Sequence, residues 1–369
     1  MKLRVLHVIT RMPVGGAERL IADVVRRLDR SRYHAMVCCI QARGELAAEI
    51  EEAGTALFCL ERMKSKRFDW GAVRDLANLL RRERIDLVHT HLYHANLYGR
   101  LAAWRSGVPA IATVHNTYTR PKLHRRLINR LLSRASSRVI AVSEDIRRDL
   151  IRYDGVRPDK IVTIPNGINI ARIETPISRR EARQRLGIPD HVLAIGCVGR
   201  LEEQKGHRFL VEALTVLKEI PLKVFFVGDG RLRKTLEEQA ASLGVTQSTT
   251  FLGTRRDVPE ILKALDLYVM PSLWEGLSLA MLEAMAAALP VVISDVGGVS
   301  QALGKDEYGI TVPPGNAVEL ARAIRSLSGD PQRRLALGAR ARQRVLENFS
   351  LDAMLRELAK VYDEATPGR

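Results

Sequence analysis

Acidic residues are missing from a long stretch of this 369-residue chain. None lies between Asp86 and Glu144, while Arg120, Lys122, Arg125, Arg126, Arg130, Arg134 and Arg138 fall close together there. The formal charge of +16 is therefore uneven. Residues 1–175 hold 32 Lys+Arg against 18 Asp+Glu, net +14, and residues 176–369 hold 26 against 24, net +2. Such a block attracts anions: a lipid surface, nucleic acid or an acidic substrate. Aromatic residues make up only 5% and form no paired stacking motif, which argues against nucleic acid as partner. The four cysteines, Cys38, Cys39, Cys59 and Cys197, have no CxxC spacing, so a metal knuckle or disulfide frame is not expected and a reducing compartment fits. No apolar run approaches the roughly 18 residues that cross a bilayer. Residues 3–9 read directly as a strand with no signal-peptide core, so a cytoplasmic protein is expected.

What is present alternates strand and helix. Residues 3–9, 35–40, 56–60, 85–89, 110–114, 139–142 and 161–164 read as short apolar strands, mostly with helical stretches between them. The pattern restarts after 164–176, with strands at 192–198, 223–227, 249–252, 267–270 and 291–294. Two Rossmann-like, doubly wound α/β domains, 1–173 and 174–369, would bind ligands in a cleft at the carboxyl ends of their strands. With 46% hydrophobic residues the chain can fill two cores.

The chain's most informative stretch is 270–295. An apolar strand stops at Pro271, Ser278 is a good N-cap, helix formers continue to Leu289, and Pro290 precedes a new strand. Glu275 lies in the loop, and Glu283 is the only charged side chain between Ser278 and Leu289. A carboxylate on so apolar a helix is costly to bury unpaired, so Glu283 is expected to line a cavity. The amides of Gly276, Leu277, Ser278 and Leu279 suit a phosphate, and Glu283 stands roughly 7.5 Å further along, which a nucleotide could span. The alternative is an amphipathic core helix with one solvated Glu.

Other turns add chemistry. Gly15 and Gly16 open a helix after the first strand, where backbone can approach a phosphate or a sugar, although a tight structural turn explains them almost as well. Neither they nor Gly228-Asp229-Gly230 complete a GxGxxG fingerprint. Arg200 and Lys205 follow a buried strand and could neutralise a diphosphate; pairing with Glu202 and Glu203 is the alternative. His89, His91, His94 and His115 gather at strand ends without a carboxylate, so no metal site is expected and satisfied structural histidines are the plainer reading. From Lys122 to Arg134, Leu123, Leu127, Ile128, Leu131 and Leu132 recur at helical spacing, which predicts an amphipathic helix. Its basic face, Arg125, Arg126, Arg130 and Arg134, would meet either an anionic membrane or solvent.

Val198-Gly199-Arg200-Leu201, Lys205-Gly206, the Glu275 and Glu283 pair, Ile164-Pro165-Asn166-Gly167-Ile168 and the Gly15-Gly16-x-Glu18 start resemble the retaining GT-B glycosyltransferases of family 4, and the resemblance covers the whole chain. It implies a GT-B fold whose last helix, about 351–365, crosses back to the first domain. It implies transfer of a sugar from a nucleotide diphosphate donor, UDP-sugar ahead of GDP-sugar, to a saccharide or lipid-linked hydroxyl in cell-envelope polysaccharide or glycolipid synthesis. Arg200 and Lys205 would bind the diphosphate, Gly16 would approach the transferred sugar, and Glu275 would hold its hydroxyls. Glu283 would bind the ribose, Gly253, Thr254 and Arg255 would lie near the base, and His115 would approach the reacting centre. Asn169, where the family often has Asp, and Trp274, where a smaller aromatic is common, depart from the pattern and leave the substrate open. No Asp-x-Asp motif occurs, so no metal or resident cofactor is expected and the cations and helix N-terminus would take the leaving-group charge. The protein would be cytoplasmic, peripheral on the inner face of the membrane. A GT-B sugar-nucleotide epimerase, and a nucleic-acid-binding module, are the other two classes.

Overall fold

The computed structural model describes residues 2–65, 67–116, 123–304 and 306–368, so Arg120 and Lys122 of the basic block lie outside the described residues. The chain forms two compact units, Met1–Gly167 with Leu351–Arg369, and Ile168–Ser350. The division thus falls between Gly167 and Ile168 and not between 173 and 174. The short helix Ile170–Ile173 packs on the helix Leu279–Ala286, and the Ile168 amide donates to Phe349 O at 2.9 Å, which ties both to the second unit.

The first unit is built on a seven-stranded parallel sheet: β1 (Leu3–Arg11), β2 (Tyr33–Ala42), β3 (Ala56–Cys59), β4 (Leu87–His91), β5 (Ala110–Val114), β6 (Arg138–Ala141) and β7 (Ile161–Thr163), in the order 3-2-1-4-5-6-7. Alternate residues of β1 and β2 serve opposite faces, as a pleated strand requires. Leu6, Val8, Met36, Cys38 and Ile40 pack with Val73, Leu76 and Leu80 of the helix Trp70–Arg82. Ile9, Val37 and Cys39 meet Ile21 and Val25 of the helix Gly16–Arg27 on the other side. All four cysteines are free, and burial pushes the Cys39 thiol up to about 12. The helix Leu351–Ala365 belongs to this unit, through Arg27–Asp352 (2.9 Å), Arg32–Asp363 (2.7 Å) and Tyr362 set edge-on to Tyr33.

The second unit repeats the plan with β8 (Leu193–Val198), β9 (Leu222–Val227), β10 (Thr249–Gly253), β11 (Leu267–Met270), β12 (Val291–Ser294) and β13 (Ile310–Val312), in the order 10-9-8-11-12-13. β13 is a sixth strand beyond the five read from the sequence; with three residues it gives almost no periodicity to detect. Ile195, Val224, Phe226, Val269 and Val292 form the core with Leu210, Leu214, Leu236, Leu320 and Ile324. The helix before β12 ends at Ala286 and not at Leu289. Pro290 disfavours helical backbone at the residue before it, and the chain turns earlier through Ala288 at φ +58°. The carbonyl of Ala288 sits where a Cβ at Gly338 would be, so the neighbouring helix Pro331–Asn348 packs closely there.

Candidate functional site

The carboxyl edge of the second sheet carries the densest chemistry. Gly199 follows β8 and its amide donates to Val227 O at 2.9 Å, and Gly228 after β9 donates to Gly253 O at 2.8 Å. Backbone turns at three adjacent strand ends are thereby fixed to one another. Beyond Gly199, Arg200 is exposed and has no carboxylate partner among the described residues. Lys205 turns inward: its Nζ donates to Glu275 Oε1 at 2.6 Å, and Ser272 Oγ donates to the same oxygen at 2.9 Å. Glu202 pairs instead with Arg231 at 2.6 Å. The alternative pairing of Lys205 with Glu202 and Glu203 is not what forms.

Glu275 is 5% exposed, and Glu283 is half-buried. Sequence reasoning put the desolvation problem on Glu283; it falls on Glu275, where an ion pair and a hydroxyl bond offset it. The loop holding Glu275 is clamped from both sides. Leu273 N donates to Gln204 O (2.8 Å), Gln204 Nε2 to Trp274 O (3.0 Å) and Gly298 N to Gly276 O (2.6 Å). Gly206 (φ +61°) and Gly297 (φ +56°) are the glycines this needs: a Cβ on the first would collide with Pro271 O and on the second with Glu275 O.

Ser278 caps the helix Leu279–Ala286, accepting from Met281 N. Gly276 and Leu277 therefore precede the helix, whose own first-turn amides start at Leu279. Behind it the Tyr268 hydroxyl, donating to Val198 O at 3.3 Å, is fully buried, and burial, then Cys197, Glu283 and Glu275, hold its pKa well above the usual phenol value. Thr254 is exposed at the end of β10, and Arg255 is engaged by Asp257 at 2.5 Å. The structure thus gathers Arg200, Lys205, Glu275, the 276–279 turn, Glu283 and 253–255 on one edge of one sheet.

In the first unit, Gly15 is the N-cap of the helix Gly16–Arg27 and has extended backbone at φ −156°. A Cβ there would run into the Glu18 carboxylate, so the side chain of Glu18 folds back over the turn. His115, 8% exposed, follows β5 and lies with Nε2 3.4 Å from His91 Nδ1. His94 is exposed and stands apart from these rings.

The family model for Glycosyl transferases group 1 matches residues 178–344, and that for Glycosyltransferase Family 4 matches 14–172. The chain is 31% identical over 322 residues, 83% of each sequence, to the UDP-Gal:alpha-D-GlcNAc-diphosphoundecaprenol alpha-1,3-galactosyltransferase of Escherichia coli. The chain belongs to glycosyltransferase family 4. A D-inositol 3-phosphate glycosyltransferase of Salinispora tropica is 32% identical over 325 residues, 78% of this chain and 67% of that one. Anabaena Alr3699/HepE, solved in complex with UDP and glucose, superposes with TM-score 0.86 at 23% identity, covering 98% of this chain and 99% of that one, so the glycosyltransferase has the GT-B fold.

Two residues of this glycosyltransferase escaped the sequence reading. His7 in β1 lies opposite His89 of β4, and Tyr362 of the last helix reaches His89. A lone histidine within the apolar run of residues 3–9 was the available signal for the first. A cavity of about 600 Å³ lined by Leu60, Arg62, Phe68 and Trp70 includes none of the site residues.

Proposed function

We propose that this glycosyltransferase moves a sugar, with retained anomeric configuration, from a nucleotide diphosphate sugar to a hydroxyl of a saccharide or lipid-linked acceptor in envelope polysaccharide or glycolipid synthesis. A UDP-sugar is the favoured donor and a GDP-sugar the second choice. The observation that carries the reading is the grouping at the second sheet's edge: exposed Arg200, Lys205 against buried Glu275, and a capped helix start. Lys205 spends one of its three donors on Glu275, which leaves two for a phosphate oxygen. Arg200 offers a planar fork for the same diphosphate. Together with the amides at Leu279 these groups would stabilise a departing nucleoside diphosphate, so neither a resident metal nor another cofactor is part of the proposal. Glu283 takes the ribose, Glu275 the hydroxyls of the moving sugar, and Gly253 to Arg255 the base. In the first unit, Gly16 and His115 are the residues assigned to contact with a sugar.

The UDP-Gal donor in the name of the E. coli relative supports a nucleotide-sugar donor, and the acceptors in the names of the E. coli and Salinispora relatives support a saccharide, lipid-linked or polyol hydroxyl as acceptor. Incubating the protein with a panel of nucleotide sugars and polyprenyl-diphosphate or saccharide acceptors, with and without EDTA, tests the reading. Transfer that survives EDTA and keeps the anomeric configuration, read by NMR of the product, is expected. Free donor converted to its epimer without acceptor would replace the proposal with the epimerase alternative.

Membrane attachment is part of the same proposal. Among the described residues no helix is long and apolar enough to cross a membrane. The helix Leu123–Ala135 exposes Leu123 (69%), Leu127 (54%) and Leu131 (63%) at four-residue spacing, one stripe along the helix. Arg125, Arg130 and Arg134 are exposed, with Arg125 over the Tyr93 ring at 4.6 Å. Arg126 differs: it is half-buried and donates from Nε to Tyr153 O at 2.5 Å, a structural bond. An apolar stripe beside three exposed arginines suits an anionic cytoplasmic leaflet.

A further inference from the structure

Six buried groups of the first unit form one unbranched chain of hydrogen bonds. It links Thr113 Oγ1 to His89 Nε2 (2.7 Å), His89 Nδ1 to the Tyr362 hydroxyl (2.8 Å), and that hydroxyl to His7 Nε2 (3.4 Å). It continues from His7 Nδ1 to His91 Nε2 (3.1 Å) and from His91 Nδ1 to His115 Nε2 (3.4 Å). Burial keeps the rings neutral. It lowers His7 to about 3 and His115 to about 4, and holds His89 and His91 well below the usual value, their neighbouring histidines adding to the effect.

A neutral imidazole has one N–H and one lone pair, and a phenol has one proton to give. Each imidazole link therefore dictates the next, and three arrangements exist: all protons toward Thr113, all toward His115, or both neighbours donating to Tyr362, which would leave the buried Tyr362 proton without an acceptor among the described residues. If every proton points toward Thr113, the threonine's own hydroxyl proton has no acceptor among the described residues, although Thr113 is 2% exposed. A buried donor without a partner is expensive. In the reverse arrangement Thr113 donates to His89, each group donates onward, and His91 Nδ1–H donates to His115 Nε2. The last N–H then falls on Nδ1 of His115, the most exposed of the six.

We propose that Thr113, His89, Tyr362, His7 and His91 are positioning residues that fix His115 as its Nδ1–H tautomer, so that it presents a donor, not a base, to a sugar oxygen of the bound substrate. The tautomer stands on the chain's geometry alone; its bearing on sugar transfer rests on the function proposed above. A divalent ion is the rival occupant, since ring nitrogens of His7, His89 and His91 lie within 4.8 Å of one another. It would have to take lone pairs the chain already uses, with no carboxylate in that group to balance its charge.

The test is a long-range ¹H–¹⁵N spectrum of the full-length protein with labelled histidine at neutral pH, for wild type, Thr113→Ser, Thr113→Val and Tyr362→Phe. His115 is expected as Nδ1–H in wild type and Thr113→Ser, and as a mixture of tautomers in the other two. Thr113→Val should also lower kcat about fivefold, the effect of one misplaced hydrogen bond, at unchanged donor KM, with Thr113→Ser restoring the rate. His115 found as Nε2–H in wild type, or one tautomer in all four proteins, would overturn the proposal. So would stoichiometric uptake of Zn²⁺ alone that abolishes the ring N–H signals of His7, His89 and His91. Expected tautomers in a protein that transfers no sugar would uphold the chain and sink the function.

Discussion

Lys205→Met should unsettle the fold of the second unit as well as the chemistry. At 2.6 Å and an effective dielectric constant near 20, the Lys205–Glu275 attraction is about 6 kcal/mol before desolvation is subtracted. Both side chains are well shielded, at 16% and 6% exposure, so solvent does little to replace the lost partner. Removing the lysine leaves a buried carboxylate without its cation, which costs about 3–5 kcal/mol. With a slope near 2 kcal/mol per M urea, the unfolding midpoint should drop by about 2 M. Trp274 adjoins Glu275, so its fluorescence, read with Trp70 and Trp104 replaced by Phe, reports on this unit. Adding Glu275→Gln to Lys205→Met should recover most of the loss, giving a coupling of at least about 2 kcal/mol in the double-mutant cycle. A midpoint within about 0.3 M of wild type for Lys205→Met, or a coupling near zero, would refute the pairing as an element of the fold.

Glu283→Ala should weaken donor binding, whereas Glu275→Gln should mainly lower turnover, a contrast between Kd and kcat that equal effects on both would erase. Acid should destabilise the first unit. The folded pKa values of His7 and His115 are lowered, to about 3 and about 4, so the unfolded state takes up protons first as pH falls below 6.5. Stability is then full above about pH 6.5 and is lost toward pH 4, by up to about 1.4 kcal/mol per pH unit for each buried histidine. Urea titrations at pH 7, 6 and 5 check this, and a flat profile would contradict it. Changing Arg125, Arg130 and Arg134 to Glu should abolish salt-sensitive binding to anionic liposomes and leave donor affinity intact; Arg126→Glu should instead lower stability, because its partner is Tyr153 O.

The strands were legible because a parallel sheet buried on both faces demands apolar runs, and residues 3–9 or 267–270 are such runs. The turn at Gly15 and Gly16 was legible for a similar reason, since glycine between a strand and a helix marks backbone that must bend or come close. Pairings across long separations were not. Lys205 meets Glu275 seventy residues away, and Tyr362 meets His89 across 273, contacts that depend on strand order and helix docking and leave no periodic trace. Helix boundaries were legible only approximately. Pro290 announces that a helix has ended, whereas the actual stop at Ala286 is set by the left-handed turn at Ala288.

The central claim is that the second unit holds a nucleoside diphosphate through Arg200, Lys205 and the start of the Leu279–Ala286 helix. Calorimetric titration of UDP and GDP into wild type and Arg200→Ala tests it most directly, because Arg200 has no carboxylate partner among the described residues and its loss should spare the fold. The account predicts saturable binding to wild type and affinity about tenfold or more weaker in Arg200→Ala, a charge-assisted bond being lost, with an unchanged unfolding midpoint. Equal affinity in the two proteins, or no binding of either nucleotide to wild type, would contradict it.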